Sequence, residues 1–246
     1  MTNISIDINA DIGEGVGNEA NLIPLLSSCN IACGGHAGNL ETMNWCVALA
    51  KENRVKIGAH PSFPDKENFG RQIVKMSCSA LYQTIKNQIK TLMSVVRDNH
   101  AALHHVKPHG ALYNLAATDK KTAEVVVEVM KSIHLPLKLY VPFGSVISGI
   151  AIKEKIPITY EVFADRNYND DLSLVSRSKE NAIIKDEDVM TSHIQNMILH
   201  KKVKTINSVE VFIEAETICV HGDNPEALKL IKKLRQNLID FGIKIQ

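Results

Sequence analysis

Two side chains, two residues apart, pose the chemical question. In His105-Val106-Lys107-Pro108-His109-Gly110-Ala111-Leu112-Tyr113-Asn114 a short strand stops at a proline and a glycine and gives way to a helix. A strand repeats every two residues, so Lys107 and His109 are expected to leave its end on one face. Together they suit an acyl or phosphoryl oxygen, because an ammonium stabilises developing negative charge and an imidazole carries a proton. A surface lysine beside a turn-capping histidine is the plainer reading, and for this pair alone neither wins.

The arrangement recurs along the chain. Ile4-Ser5-Ile6-Asp7-Ile8-Asn9 alternates with period two and runs on through Asp11 to Gly13-Glu14, so Asp7, Asn9 and Asp11 share one face of a first strand. His36 sits in a glycine-rich loop after the strand Ser28–Cys33, and His60 precedes Pro61 after the strand Val55–Ala59. Asp165 and Arg166 follow the strand Ile156–Val162, and His221 with Asp223 follows Glu216–Val220. Lone histidines are mostly satisfied core or surface residues, and His100, His134, His193 and His200 fall on helices or their ends. Finding His36, His60, His109 and His221 each where a strand yields to glycine or proline favours a shared site. Asp11, His36 and His60 would suit a divalent metal such as magnesium, although no HxxH or HxxxH spacing fixes them. Substrate binding or acid–base work is the alternative for the same histidines. The glycines at 13, 15 and 17 lack both the Gly-Lys-Ser/Thr of a P-loop and the GxGxxG spacing.

These residues need a scaffold that gathers them. Asn39 is a suitable N-cap for a helix with Leu40, Met43, Val47 and Ala50 on one side. The polar loop from Phe63 to Ile73 is long enough to be a functional or lid-like segment. A helix from about Ser79 carries Leu81, Ile85, Ile89, Leu92 and Val96 at helical spacing. Another is expected to start at Thr118, with Ala123, Val126, Val127 and Met130 inward. Then come a strand at Leu137–Val141, a helix at Phe143–Glu154, an irregular insertion at 169–187 and a helix at Val189–Leu199. Asn224-Pro225-Glu226 starts a last helix with Leu228, Ile231, Leu234 and Leu238 on its apolar face. Strands and helices alternate about seven times without a linker, which argues for one parallel-stranded α/β domain over residues 1–246. Such folds bind ligands at the carboxyl ends of their strands, and those ends carry Asp11, His36, His60, Lys107 with His109, Asp165 with Arg166, and His221 with Asp223.

The composition excludes other classes. A net charge of +1 gives no reason to expect nucleic acid or an anionic membrane as partner. No apolar run reaches the ~20 residues of a membrane span, and Met1-Thr2-Asn3-Ile4 does not open a signal peptide. Five scattered cysteines suggest no disulfide framework, and a reducing cytoplasm is the expected location.

Several motifs together are specific. Asp7-Ile8-Asn9-Ala10-Asp11-Ile12-Gly13-Glu14, Asn30-Ile31-Ala32-Cys33-Gly34-Gly35-His36-Ala37-Gly38, Gly58-Ala59-His60-Pro61-Ser62-Phe63-Pro64-Asp65, Val106 to Asn114, Glu161-Val162-Phe163-Ala164-Asp165-Arg166 and Val220-His221-Gly222-Asp223 occur in this order. The chain thereby resembles the lactam-utilisation family, whose members are the A subunits of bacterial ATP-dependent 5-oxoprolinase. Departures are small: Gly35 stands where an aromatic residue is common, Asn39 where aspartate is common, and Asp170-Asp171 replaces Asp-Gly. The resemblance implies a single-domain (β/α) barrel with seven strands, of the glycoside hydrolase/deacetylase kind. It implies cleavage of 5-oxo-L-proline to L-glutamate with ATP as co-substrate, and subunits B and C as partners. Self-association is left open. In that chemistry Asp11, Glu14, Lys107 and His109 are the catalytic candidates. Asp7, Asn9, Glu161, Asp165, Arg166, His221 and Asp223 are candidates for binding substrate or phosphate. Two other classes stay open: a metal-dependent deacetylase or amidohydrolase acting without ATP, and a non-catalytic subunit that binds the lactam.

Overall fold

The computed structural model describes residues 4–220 and 227–246. Strands β1 (Ser5–Ile12), β2 (Ser28–Ala32), β3 (Lys56–His60), β4 (Leu103–Val106), β5 (Lys138–Pro142) and β6 (Ile158–Phe163) lie side by side in chain order, all parallel. Two short strands, β7 (Lys202–Lys204) and β8 (Glu210–Phe212), pair only with each other. Strand β9 (Thr217–Cys219) then pairs with β6 on one side and β1 on the other, closing a seven-stranded barrel. Thr217 is opposite Asp7 on β1 and Glu161 on β6. A final strand, β10 (Lys244–Ile245), adds to the first two residues of β1.

Helices cover the outside: α1 (Glu19–Leu22), α2 (Leu40–Glu52), α3 (Cys78–Asp98), α4 (Gly110–Thr118), α5 (Lys120–Lys131), α6 (Val146–Lys153), α7 (Glu187–Leu199) and α8 (Ala227–Asp240). Their apolar stripes bury against the even-numbered residues of β1 and their equivalents, Ile6, Ile8, Ala10 and Ile12 among them. Asn39 caps α2 by accepting from Thr42 N–H, as its position in the sequence suggests. For α5 the cap is Asp119, one residue past the expected Thr118, because α4 runs through Thr118 and the Asp119 carboxylate accepts from Thr122 N–H. The expected start of the last helix at Asn224-Pro225-Glu226 lies outside the described residues, as do His221 and Asp223. Strands β7, β8 and β10 have no counterpart in the sequence reading, since two or three residues are too few for a period of two to register.

The inside of the barrel is polar. At its lower end Asp7 Oδ2 accepts from Ser28 Oγ and Thr217 Oγ1, each at 2.6 Å. One layer up, Asn9 Nδ2 donates to Glu161 Oε1 (3.0 Å) and Thr217 Oγ1 (2.8 Å), and Asn30 Nδ2 donates to Asn9 Oδ1 (2.7 Å) and Asp11 Oδ1 (2.9 Å). The His105 ring, wholly buried, donates from Nε2 to Asn30 Oδ1 at 2.8 Å and stacks on Tyr140 with centroids 3.9 Å apart. Every layer is tied across strands, which is how such groups can leave water without losing their hydrogen bonds.

Acid sensitivity follows from one outlying ring. His193 on α7 packs near Tyr168, and burial lowers its pKa to about 4. The unfolded chain takes up this proton near pH 6.5 and the folded one near 4, so the folded state holds the full contribution above pH 6.5 and loses it as pH falls. Thermal unfolding from pH 7 to pH 4 should register up to about 1 kcal/mol of lost stability per pH unit from this group, and His193→Gln should flatten that slope.

Candidate functional site

Above the polar column, the carboxyl ends of the strands open into a cavity of about 490 Å³. Asp11, Glu14, His60, Lys107, His109, Glu161 and Arg166 all line it. The expected convergence at one rim therefore holds for residues drawn from β1, β3, β6 and the segment after β4. Strand β4 ends at Val106, so Lys107 and His109 project from the turn beyond it. They occupy adjacent halves of the mouth.

The first half is cationic at its centre. Lys107 Nζ is 2.9 Å from Asp11 Oδ1, 3.0 Å from Glu161 Oε1 and 3.0 Å from Cys219 Sγ. Burial works against its charge, but Asp11 first, then Cys219 and Glu161, outweigh it and hold the ammonium well above the ordinary lysine range. Cys219 is held protonated by burial against the pull of Lys107. Two polar atoms in this half, the Tyr113 hydroxyl and Glu161 Oε2, make no hydrogen bond of good geometry with the described residues, although the phenol lies near the Glu161 carboxylate. Both residues line the cavity and are at least 95% buried. Burial, then Glu161, keeps the phenol protonated and available as a donor.

The second half holds three imidazoles and a carboxylate. Glu14 Oε1 lies 2.8 Å from His36 Nε2, 3.4 Å from His109 Nδ1 and 3.9 Å from His60 Nε2. His36 and His109 are stacked face to face, centroids 3.6 Å apart, with His60 nearly perpendicular to both. Burial, then the neighbouring rings, lowers the His36 pKa to about 3 and that of His109 well below the ordinary value, so both are neutral near pH 7. The loop expected to be lid-like covers this half: Phe69 packs edge-on against His36 and His109, and its carbonyl accepts from His109 Nε2 at 2.9 Å. Gly70 has φ +64°, and a Cβ there would stand 2.9 Å from His36 Cβ and 3.0 Å from the His109 ring, so only glycine lets the loop lie so close. Glu14, His36, His60 and His109 bring one ligand atom each within 4.8 Å of one another, and Asp11 Oδ2, the carboxylate expected from the sequence, lies 3.3 Å from His60 Nε2; such a donor set suits a divalent cation.

Other expected residues sit elsewhere. Asp7 and Asn9 belong to the lower layers of the column and do not line the cavity. Asp165 is buried below the 169–187 insertion, its carbonyl accepting from Ile184 N–H. Arg166 reaches the cavity wall, but its guanidinium donates to the carbonyls of Val175 (2.6 Å) and Ala182 (3.4 Å), so it pins that insertion. Sequence reading did not single out Tyr113, Cys219, Phe69 or Arg71, whose guanidinium lies 5.0 Å over the Phe69 ring.

Comparison with known proteins decides the family, since residues 6–246 match the LamB/YcsF family model. The chain belongs to the LamB/YcsF family. It is 43% identical over 240 residues to the 5-oxoprolinase A subunit of Haemophilus influenzae, covering 98% of each chain. The lactam utilization protein from Thermus thermophilus superposes with a TM-score of 0.92 at 34% identity, covering 99% of both chains. A family 4 carbohydrate esterase from Streptomyces lividans shares the barrel, with a TM-score of 0.52 at 9% identity over 99% of this chain and 92% of that one. That last likeness is one of fold. No helix among the described residues is long and apolar enough to cross a membrane.

Proposed function

We propose that this chain is the lactam-handling subunit of an ATP-dependent 5-oxoprolinase, opening 5-oxo-L-proline to L-glutamate in the cytoplasm together with subunits B and C. The reading rests above all on the buried ammonium of Lys107, fixed between two carboxylates at the wall of a strand-end cavity, in a relative of proteins that carry this subunit's name. A five-membered lactam resists hydrolysis and needs its oxygen activated. Transfer of the γ-phosphoryl group of ATP to that oxygen leaves ADP and a phosphorylated imidate. Water adds at the imidate carbon, and cleavage of the ring C–N bond, with the nitrogen taking a proton, leaves an acyl phosphate. A second water releases phosphate and the γ-carboxylate of glutamate.

Each demand of that sequence has a matching group. Lys107 and the Tyr113 hydroxyl are donors for the lactam oxygen and the charge that grows on it. Glu161 Oε2, which makes no hydrogen bond of good geometry with the described residues, is an acceptor for the lactam N–H. Asp11 and Glu14 border the same space and can orient water and take its proton. Arg71 on the outer wall adds positive charge for a phosphoryl group. The cavity exceeds what one small lactam fills, which leaves room for the transferred phosphoryl group; the nucleotide itself is shared with the partners.

The test is glutamate release from 5-oxoproline in the presence of ATP, measured with this chain alone and with subunits B and C added. Release that requires both ATP and the partners is expected; none from the full assembly would sink the reading. Tyr113→Phe removes one hydrogen bond and should lower kcat/KM of the assembly roughly tenfold while leaving the unfolding temperature within a few degrees.

A further inference from the structure

The three histidines beside Glu14 are not equivalent, and their hydrogen bonds tell them apart. His60 Nδ1 lies 2.7 Å from the carbonyl oxygen of Lys107, and His109 Nε2 lies 2.9 Å from that of Phe69. A carbonyl can only accept, so each of these nitrogens carries the ring proton. The other nitrogen of each ring is then a bare lone pair, and the two, His60 Nε2 and His109 Nδ1, face one another at 2.9 Å. Two acceptors at that separation repel unless something positive lies between or beside them. Glu14 Oε1, 3.4 Å from His109 Nδ1, and Asp11 Oδ2, 3.3 Å from His60 Nε2, add two further acceptors to the same small volume.

His36 differs on three counts. Its Nδ1 is buried with no hydrogen-bond partner among the described residues, so no carbonyl fixes its tautomer. Its Nε2 is spent on Glu14 at 2.8 Å. It also lies parallel to His109, ring planes 2° apart and centroids 3.6 Å apart, and an ion in the plane of one ring is out of the plane of the other. His60, Glu14, His109 and Asp11 all line the cavity; His36 does not.

We infer that His60 Nε2, His109 Nδ1 and Glu14 Oε1, flanked by Asp11 Oδ2, form a binding site for one divalent first-row transition ion of the zinc and cobalt class, with His36 as the residue that orients Glu14. Metal-binding imidazoles characteristically donate their second N–H to a group outside the site; His60 and His109 give theirs to backbone carbonyls, whereas His36 gives its Nε2–H to Glu14, a member of the site itself. Two imidazoles and carboxylate oxygens match zinc or cobalt better than magnesium, which prefers an all-oxygen shell. An ion held there would leave a position facing the cavity, where it would supply Lewis acidity toward water or an oxygen of the bound substrate. The competing occupant is a single proton shared between the two rings.

The experiment needs neither nucleotide, lactam nor partner subunits, so its outcome is separate from that of the proposed function. The full chain, stripped with a chelator, is titrated with cobalt(II) and the visible d–d bands are recorded, with circular dichroism as a check on folding. Wild-type chain should develop the bands at one ion per chain, and zinc should displace them. Glu14→Gln and His109→Gln should lose the bands. His36→Ala should keep them at saturation, with affinity weakened by the roughly 10–100-fold of an outer-shell partner. Absence of bands and of retained cobalt in the folded wild-type chain would overturn the proposal in favour of the shared proton, whatever the variants do. Loss of the bands in His36→Ala, or their persistence in His109→Gln, would overturn the ligand assignment.

Discussion

Lys107→Ala should reduce ATP-dependent glutamate release by the assembled complex on the order of 10³-fold, the loss typical when a preorganised donor to a developing oxyanion is removed and a charge goes with it. Two effects combine. The lactam oxygen loses its cation, and Asp11 and Glu161, both buried, lose the charge that lies within 3.0 Å of each. Removing one partner of a buried ion pair costs about 3–5 kcal/mol, and one carboxyl will take up a proton to relieve it. A stability loss could imitate a catalytic one, so Lys107→Arg is the control. It keeps the charge and much of the stability, but a planar guanidinium cannot sit as a point charge among Asp11, Glu161 and Cys219. A folded, assembled and inactive Lys107→Arg supports the role; near-normal turnover by Lys107→Ala removes this residue from the reaction.

Gly58→Ala should destabilise the chain by about 3 kcal/mol or more, with soluble expression falling accordingly. An added Cβ would stand 2.1 Å from His105 Nε2, deep inside contact distance. The ring cannot withdraw, since it is stacked on Tyr140 and bonded to Asn30 in a fully buried position. The methyl group and the imidazole compete for the same space, so their effects must couple. Combining Gly58→Ala with His105→Ala should recover part of what Gly58→Ala loses, even though His105→Ala alone breaks the bond to Asn30. Urea unfolding of the two single variants and the double variant measures that coupling; strictly additive losses would mean the collision is relieved by backbone movement.

The rim was legible in the sequence because its chemistry sits at strand ends. Lys107, His109, His60 and Asp11 each follow or finish a β-period, and a closed parallel sheet must bring such ends together. Depth was not legible. Asp7, Asn9 and Asp11 have the same parity on β1, and period two says which face they take but not how far below the mouth each lies; only Asp11 reaches the cavity. Ser28 and Asn30 share a parity on β2 and carried the same hint of a polar interior, but as small polar residues in a short strand they passed as ordinary. Cys219 reads as one more apolar strand residue, and Tyr113 as one more helical one. Their importance comes from Lys107 and Glu161, which are remote in sequence. The presence of Glu14 among the imidazoles, alongside the expected Asp11, has a similar cause: the backbone turns at Gly13, φ +73°, and carries the next side chain back over the barrel, which no periodicity encodes.

The covering loop touches His109 through a backbone carbonyl, and that has a consequence for timing. With Phe69 in place, the ring proton is parked on Nε2 and the basic lone pair is turned toward Glu14 and His60. The same loop is fastened one residue later, where Gly70 accepts from Ala111 N–H at the start of α4. Lifting residues 69–70 would take the Phe69 ring off His36 and His109 and free His109 to exchange tautomers and aim its lone pair elsewhere. Anything that seats or unseats this loop, a docking partner included, would thus set the protonic state of the chamber from outside it.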